Sequence, residues 1–281
     1  MNTEIILIYC VCDDYLKCIN YYESSSRVMN DAEVLTHTIV SAMFFYGNHE
    51  TARTFLKEHH YVPNMLSKSQ LNRRIHHFSD GFWQGLLNML FIVFEKFNQT
   101  NEYVVDSFPV SVCDTARISR CKIYQGKEYH GYSPTKQRYF YGIKVHAITT
   151  IHGFPKEIIF TPGSEHDTKA FRRFNFDIPE NSIIYADRGY KDYSFEDLLK
   201  EHAQIYLIAE RAKNSKRPLR GALRYIQSIM RKRIETAFSQ ITSMFPRSIK
   251  AVTSSGFEIK IFNFIIAFAC KLIFKNSAAL T

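Results

Sequence analysis

The period of the apolar residues changes near residue 101, and this change limits what the 281-residue chain can fold into. Before it, apolar side chains recur every three or four positions, the spacing of one helix face. Leu35, Ile39, Ala42 and Phe45 follow Asn30-Asp31, residues suited to cap a helix, and Gly47-Asn48 ends the run. A second helix is expected over 50–60. Pro63 and Ser67 open a third, with Leu71, Ile75 and Phe78 on one face. Ser79-Asp80 caps a nearly all-apolar fourth, Phe82 to Phe97, which should be buried.

After residue 101 the runs are short, β-branched and aromatic, as in buried strands. Strands are expected at 103–108, 138–150, 156–161, 182–187 and 204–208, with a hairpin turn at Gly153. Helices are expected at 166–174, 193–202, 220–245 and 257–275. Hairpin-linked strands followed by βαβ crossovers make a mixed sheet with helices on its faces. The class is therefore α+β or α/β, with an all-α domain over 1–98 and a sheet domain over 99–281.

The formal charge of +9 and pI of about 9.2 favour a polyanionic partner, either nucleic acid or an acidic membrane surface. The most apolar stretch, Ile261–Phe274, is short for a membrane span, contains Lys271 and reads as a buried helix. Residues 5–12 are apolar but follow no basic stretch and run into Asp13-Asp14, so no secretory signal is expected. The six cysteines form no Cys-x-x-Cys pair. Cys113 and Cys121 with His130 offer zinc-type ligands, but reduced thiols in a cytoplasmic protein are the simpler account.

Three acids stand in contexts that fit one metal-dependent phosphoryl-transfer site. Asp106 and Asp187 stand in or at the ends of apolar strand-like runs, and Glu235 stands inside a strongly basic helix. Opening or joining DNA strands needs an activated oxygen and a stabilised leaving oxygen, which two divalent ions about 3.5–4 Å apart supply. About three carboxylates suffice for magnesium when substrate phosphate completes its shell. Each acid also has a plainer reading. Asp106 can end a strand, Asp187 can cap a turn, and Glu235 can pair with Arg231 one helical turn earlier. The core stripe of that helix is Ile226, Met230, Ile234, Ala237, Phe238, Ile241 and Phe245, and Glu235 lies beside it.

Several blocks together resemble a DDE transposase of a bacterial insertion sequence, with an RNase H-like catalytic domain. They are Val105-Asp106-Ser107-Phe108-Pro109, His130-Gly131-Tyr132-Ser133 and the run Tyr139 to His146. Gly163-Ser164-Glu165-His166-Asp167, Ala186-Asp187-Arg188-Gly189-Tyr190, and Arg231 with Ile234-Glu235-Thr236-Ala237-Phe238 follow. The resemblance covers roughly 103–270. It implies that Asp106, Asp187 and Glu235 bind two Mg²⁺ ions, with Mn²⁺ as a substitute. It also implies cleavage and strand transfer at the element's own DNA termini, in the bacterial cytoplasm and at the nucleoid when bound to DNA. Relatives with a fuller helix signature carry tyrosine and lysine where this chain has Ser228 and Thr242, so only Arg231 and Glu235 carry over.

DNA contacts are expected in two places. Glu235 is the only acid between Arg211 and Lys250, so Lys213, Lys216, Arg217, Arg220, Arg224, Lys232 and Arg233 form a phosphate track. Residues 65–75 read as a recognition helix of a helix-turn-helix-like domain, with Lys68, Gln70, Asn72, Arg73 and Arg74 toward the groove. Arg231 is placed to hold the attacked phosphate. Lys144 and His146 share a strand face that can approach the metals, and His166-Asp167 is either a polar contribution to the site or a helix cap. The partner is double-stranded DNA, both element ends and target, bound by a homodimer or higher assembly, with no membrane. The alternatives are an RNase H-like nuclease without strand transfer and a non-catalytic DNA-binding descendant of a transposase.

Overall fold

The computed structural model describes residues 1–98, 100–134 and 137–278, the side chains of Asp80 and Ala278 excepted. The capping role expected of Asp80 therefore lies outside the described residues. The chain forms two compact units, one of 1–94 with 240–281 and one of 95–239.

The first unit is helical. It contains α1 (Asn2–Cys18), α2 (Asp31–Phe44), α3 (His49–Glu58), α4 (Lys68–Ile75), α5 (Asp80–Glu95) and α9 (Ser254–Ala278). Asn30 caps α2 in a box with Glu33, Asn48 caps α3, and Ser67 caps α4 in a box with Gln70. Asn48 is thus the start signal of α3 as well as part of the stop after α2. Helix α1 was not anticipated as an element of its own, although Ile5, Ile8, Cys12, Tyr15 and Leu16 give it a buried face. In α9 all ten residues from Ile261 to Cys270 are buried. A helix apolar on every side needs cover on every side, and α9 packs against α2. The division at 98/99 left it with the sheet. Among the described residues no helix is long and apolar enough to cross a membrane.

The second unit is built on six strands: β1 (Glu102–Cys113), β2 (His130–Ser133), β3 (Arg138–Thr150), β4 (Pro155–Pro162), β5 (Ile183–Ala186) and β6 (Tyr206–Ala209). The path is β2-β3-β1-β5-β6, with β4 on the same edge of β3 beyond β2. β1 runs antiparallel to β3 and parallel to β5, and β5 runs parallel to β6. Helices α6 (Asp167–Phe171), α7 (Tyr193–Ala203) and most of α8 (Gly221–Ser243) complete the unit. This is the mixed α/β arrangement with flanking helices that the sequence implies. The β3–β4 turn needs Gly153, whose φ is +84°.

Two strands differ from expectation. β1 continues five residues past 108, through Pro109. β5 pairs with β1 only as far as Val105, so among the described residues no strand pairs with Pro109 on that side and its missing N–H interrupts no ladder there. β2 was not anticipated because four residues that include a glycine have little local signature. Its pairing with β3 creates it.

Candidate active site

The register of the parallel strands brings the acids together. Val105 on β1 pairs with Ala186 on β5, which pairs with Ala209 on β6. One residue further along each strand line stand Asp106, Asp187 and Glu210. Neighbouring strands lie about 4.8 Å apart, so three acids form a row at one end of the parallel pairing. The Glu210 N–H donates to the Ala186 carbonyl at 3.0 Å and carries the ladder one step past β6. Reading by motif missed Glu210, because only strand register reveals its place.

Asp106 is part-buried, and its Oδ1 accepts the Ser107 N–H at 2.8 Å. Burial pushes its carboxyl up to about 7, with Arg231 opposing the shift and Asp187 and Asp167 adding to it. Asp187 caps the turn over 188–190, accepting the Arg188 N–H at 2.5 Å. That is the plainer role foreseen for it, and it also faces Arg231.

Helix α8 supplies the opposite wall. Phe238 packs on Phe108 with ring centroids 4.8 Å apart, and Phe108 shares the face of β1 that carries Asp106. Gln227, Arg231 and Glu235 recur every four residues and so line one helix face. Gln227 is buried and its Nε2 donates to the Ala186 carbonyl at 3.0 Å, tying α8 to the end of β5. In the expected core stripe, Ile226 and Met230 are only half-buried, and Gln227 is the buried residue of that turn. Its amide shares the Ala186 carbonyl with the Glu210 N–H, a contact that no apolar pattern shows.

Arg231 sits among three carboxylates. Its Nη1 lies 3.2 Å from Glu210 Oε2 and 3.5 Å from Asp187 Oδ1, and its Nη2 lies 3.6 Å from Glu235 Oε1. The simple pair with Glu235 thus exists, but it is the longest of the three contacts. The Glu235 side chain is 59% exposed.

Behind this site, His146 hydrogen-bonds Tyr190 Oη at 2.9 Å and Thr161 Oγ1 at 3.0 Å, and burial pulls it down to about 4. Lys144 Nζ donates to Asp167 Oδ1 at 2.9 Å and to the Glu165 carbonyl at 2.7 Å. These two side chains therefore support Tyr190 and Asp167. His166 precedes α6 without a side-chain capping bond. Asp167 lies close to Gly189, where a Cβ would meet its Oδ2 at 2.7 Å. A side chain at Gly189 would therefore push the Asp167 carboxylate out of its present position.

Among the described residues no group of three or more His, Cys, Asp or Glu is arranged to hold a metal ion. This covers the Cys113, Cys121 and His130 set, and all six cysteines are free thiols. It also covers the acidic triad, in which the guanidinium of Arg231 spans Asp187 and Glu235. The donor chemistry nevertheless fits a hard divalent cation. Asp106 is a half-buried carboxyl beside two other acids, with one backbone donor and one guanidinium to offset its charge.

The expected DNA-contacting residues divide by their surroundings. On α4, Lys68, Asn72 and Arg73 are exposed, while Gln70 uses its Oε1 to accept from Ser67. Arg74 departs from expectation. Its Nε donates to Asp31 Oδ1 at 3.0 Å and its Nη1 to the Met29 carbonyl at 3.1 Å, so it faces inward. Asp31, 1% exposed, takes Arg27 as well. Asp31→Ala should therefore leave two half-buried guanidinia without their main partner and cost about 3–5 kcal/mol, read as a lower urea midpoint. A shift within error would mean that water already compensates both charges.

In the basic track, Lys213, Lys216, Arg220, Arg224, Lys232 and Arg233 are exposed. Arg217 is committed to Asp197 through two hydrogen bonds of 2.7 and 2.8 Å and stacks over Tyr193. Arg211 is buried against Glu196. The loop is therefore less uniformly available than its composition suggests.

A family model described as the transposase DDE domain matches residues 98–269. No curated protein and no solved structure matches the chain.

Proposed function

The chain belongs to the transposase DDE-domain family, and we propose that it cleaves DNA at the ends of an insertion sequence and joins those ends to a target. The observation that carries this reading is the matched register of Asp106 and Asp187, with Arg231 reaching from Asp187 to Glu235. The family is generally divalent-metal dependent. In the proposal Asp106, Asp187 and Glu235 hold Mg²⁺, or Mn²⁺ in its place. When bound, the two ions supply an activated attacking oxygen and a stabilised leaving oxygen.

The chain's own residues do the rest. Asp106 is fixed by its strand and by the Ser107 N–H. Asp187 is fixed by the turn it caps. Arg231 offers a planar fork to the phosphate under attack, a geometry that lysine cannot reproduce. Lys213, Lys216, Arg220, Arg224, Lys232 and Arg233 follow the phosphate backbone. On the helical unit, α4 is the reading helix of a helix-turn-helix-like domain, through Lys68, Asn72 and Arg73. The active form is a dimer or larger assembly on DNA, at the bacterial nucleoid.

The test starts with duplexes selected from a random pool by the purified protein. Their pre-cut forms are then incubated with Mn²⁺ and a supercoiled plasmid. Joined products are expected. Cleavage of intact duplexes without joining would point to a nuclease, and neither product would point to a non-catalytic DNA-binding protein. Selection with Asn72 and Arg73 both replaced by Ala should return a less biased pool, because these side chains read base edges.

A further inference from the structure

Glu210 makes the shortest contact of Arg231, yet it belongs to none of the motifs. Its two carboxylate oxygens hold two guanidinia, Oε1 taking Arg188 Nη2 and Oε2 taking Arg231 Nη1, both at 3.2 Å. Its backbone is fixed beside Asp187 by the bond to the Ala186 carbonyl. Arg231 reaches Asp187 and Glu235 only at 3.5 and 3.6 Å, which is ion-pair and not hydrogen-bond distance. The position of Arg231 is therefore set by a carboxylate outside the triad.

We infer that Glu210 is a positioning residue that restrains Arg231, together with Arg188, so that Asp187 and Glu235 remain available to a divalent cation. The inference rests on the metal-binding reading of Asp106, Asp187 and Glu235. Without Glu210, the nearest anions for Arg231 are those two acids. Its guanidinium would settle on them and compete with the metal as an internal cation. With Glu210 present, the fork stays anchored when Asp187 and Glu235 are engaged elsewhere. Glu210 acts through Arg231, with both of its own oxygens already occupied.

The experiment is a calorimetric Mn²⁺ titration of the full chain, without DNA. The wild type should show saturable binding. Glu210→Ala should weaken it about 10-fold or more, the usual scale for a residue that orients others around a metal. Adding Arg231→Ala to Glu210→Ala should restore affinity to near the wild type, because the competing cation is gone. Arg231→Ala alone should bind Mn²⁺ at least as tightly as the wild type. Glu210→Gln, which keeps the size and loses the charge, should behave as Glu210→Ala and stands in for it if that variant does not fold.

Unchanged affinity in Glu210→Ala or Glu210→Gln overturns the inference. Weak binding that Arg231→Ala does not rescue also overturns it, and makes Glu210 a direct ligand. No saturable Mn²⁺ binding by the wild type removes both this inference and the metal-binding reading beneath it. Binding and rescue as expected, in a protein that neither cuts nor joins DNA, support the inference while removing the transposase reaction.

Discussion

Asp106→Asn should abolish strand cleavage and at the same time stabilise the fold. The loss follows from its proposed place as a hard oxygen ligand. Asp187→Asn and Glu235→Gln should lose cleavage for the same reason, and near-normal cleavage by any one of the three removes that residue from the site. The gain in stability should be specific to Asp106. Its carboxyl titrates near 3.8 when unfolded and is pushed up to about 7 by burial in the folded chain. Between these values the folded chain keeps a proton that the unfolded chain has lost. The contribution of Asp106 to wild-type stability therefore falls as pH rises from about 4 to 7 and is level above. Asparagine is neutral throughout. The advantage of Asp106→Asn should be absent below pH ~4, grow across that window and reach at most about 4 kcal/mol above it. Urea midpoints at pH 4, 6 and 8 measure it. Equal midpoints for wild type and variant at pH 8 would show that the buried charge costs nothing.

Cutting the chain at residue 98 should prevent cooperative folding of the helical part. A fragment of residues 1–98 lacks α9, which packs against α2 and keeps Ile261 to Cys270 buried. Phe264 lies against Gly47, where an added Cβ would meet its ring at 2.9 Å. Each large apolar side chain contributes about 1.5–3 kcal/mol when fully buried. Losing a helix with so many of them exceeds the roughly 5–15 kcal/mol by which a domain is stable. Circular dichroism should show a broad melt for 1–98 and a sharp one when residues 240–281 are joined to it through a flexible linker. A sharp melt for 1–98 alone would favour the division at 98/99.

Local patterns in the sequence carried much of this architecture. The β-branched and aromatic run over 138–150 marks β3 from end to end. Asn30 and Ser67 mark the starts of α2 and α4, because a cap is a contact between residues three apart. The apolar runs before Asp106 and Asp187 mark those acids as strand-borne, since buried strands have that composition. Arg231 and Glu235 share a helix face by spacing alone.

Long-range contacts decided the rest. A period says which face of an element is apolar but not which element lies across from it. Arg74 looks like a groove-facing arginine by spacing, yet Asp31, 43 positions earlier in the chain, holds it inward. Gln227 looks like a solvent-facing amide until the end of β5 places the Ala186 carbonyl against it. α9 follows the sheet unit in sequence and packs on α2, because its buried sides need a partner and chain order does not supply one. Glu210 enters the acidic row only when Ala209 pairs with Ala186 and Ala186 with Val105. The sequence alone therefore determined the types of most elements and placed the three acids in or at the ends of strands and helix. Register and packing determined which charges meet, because charges act through distance in space, and only the folded chain sets that distance.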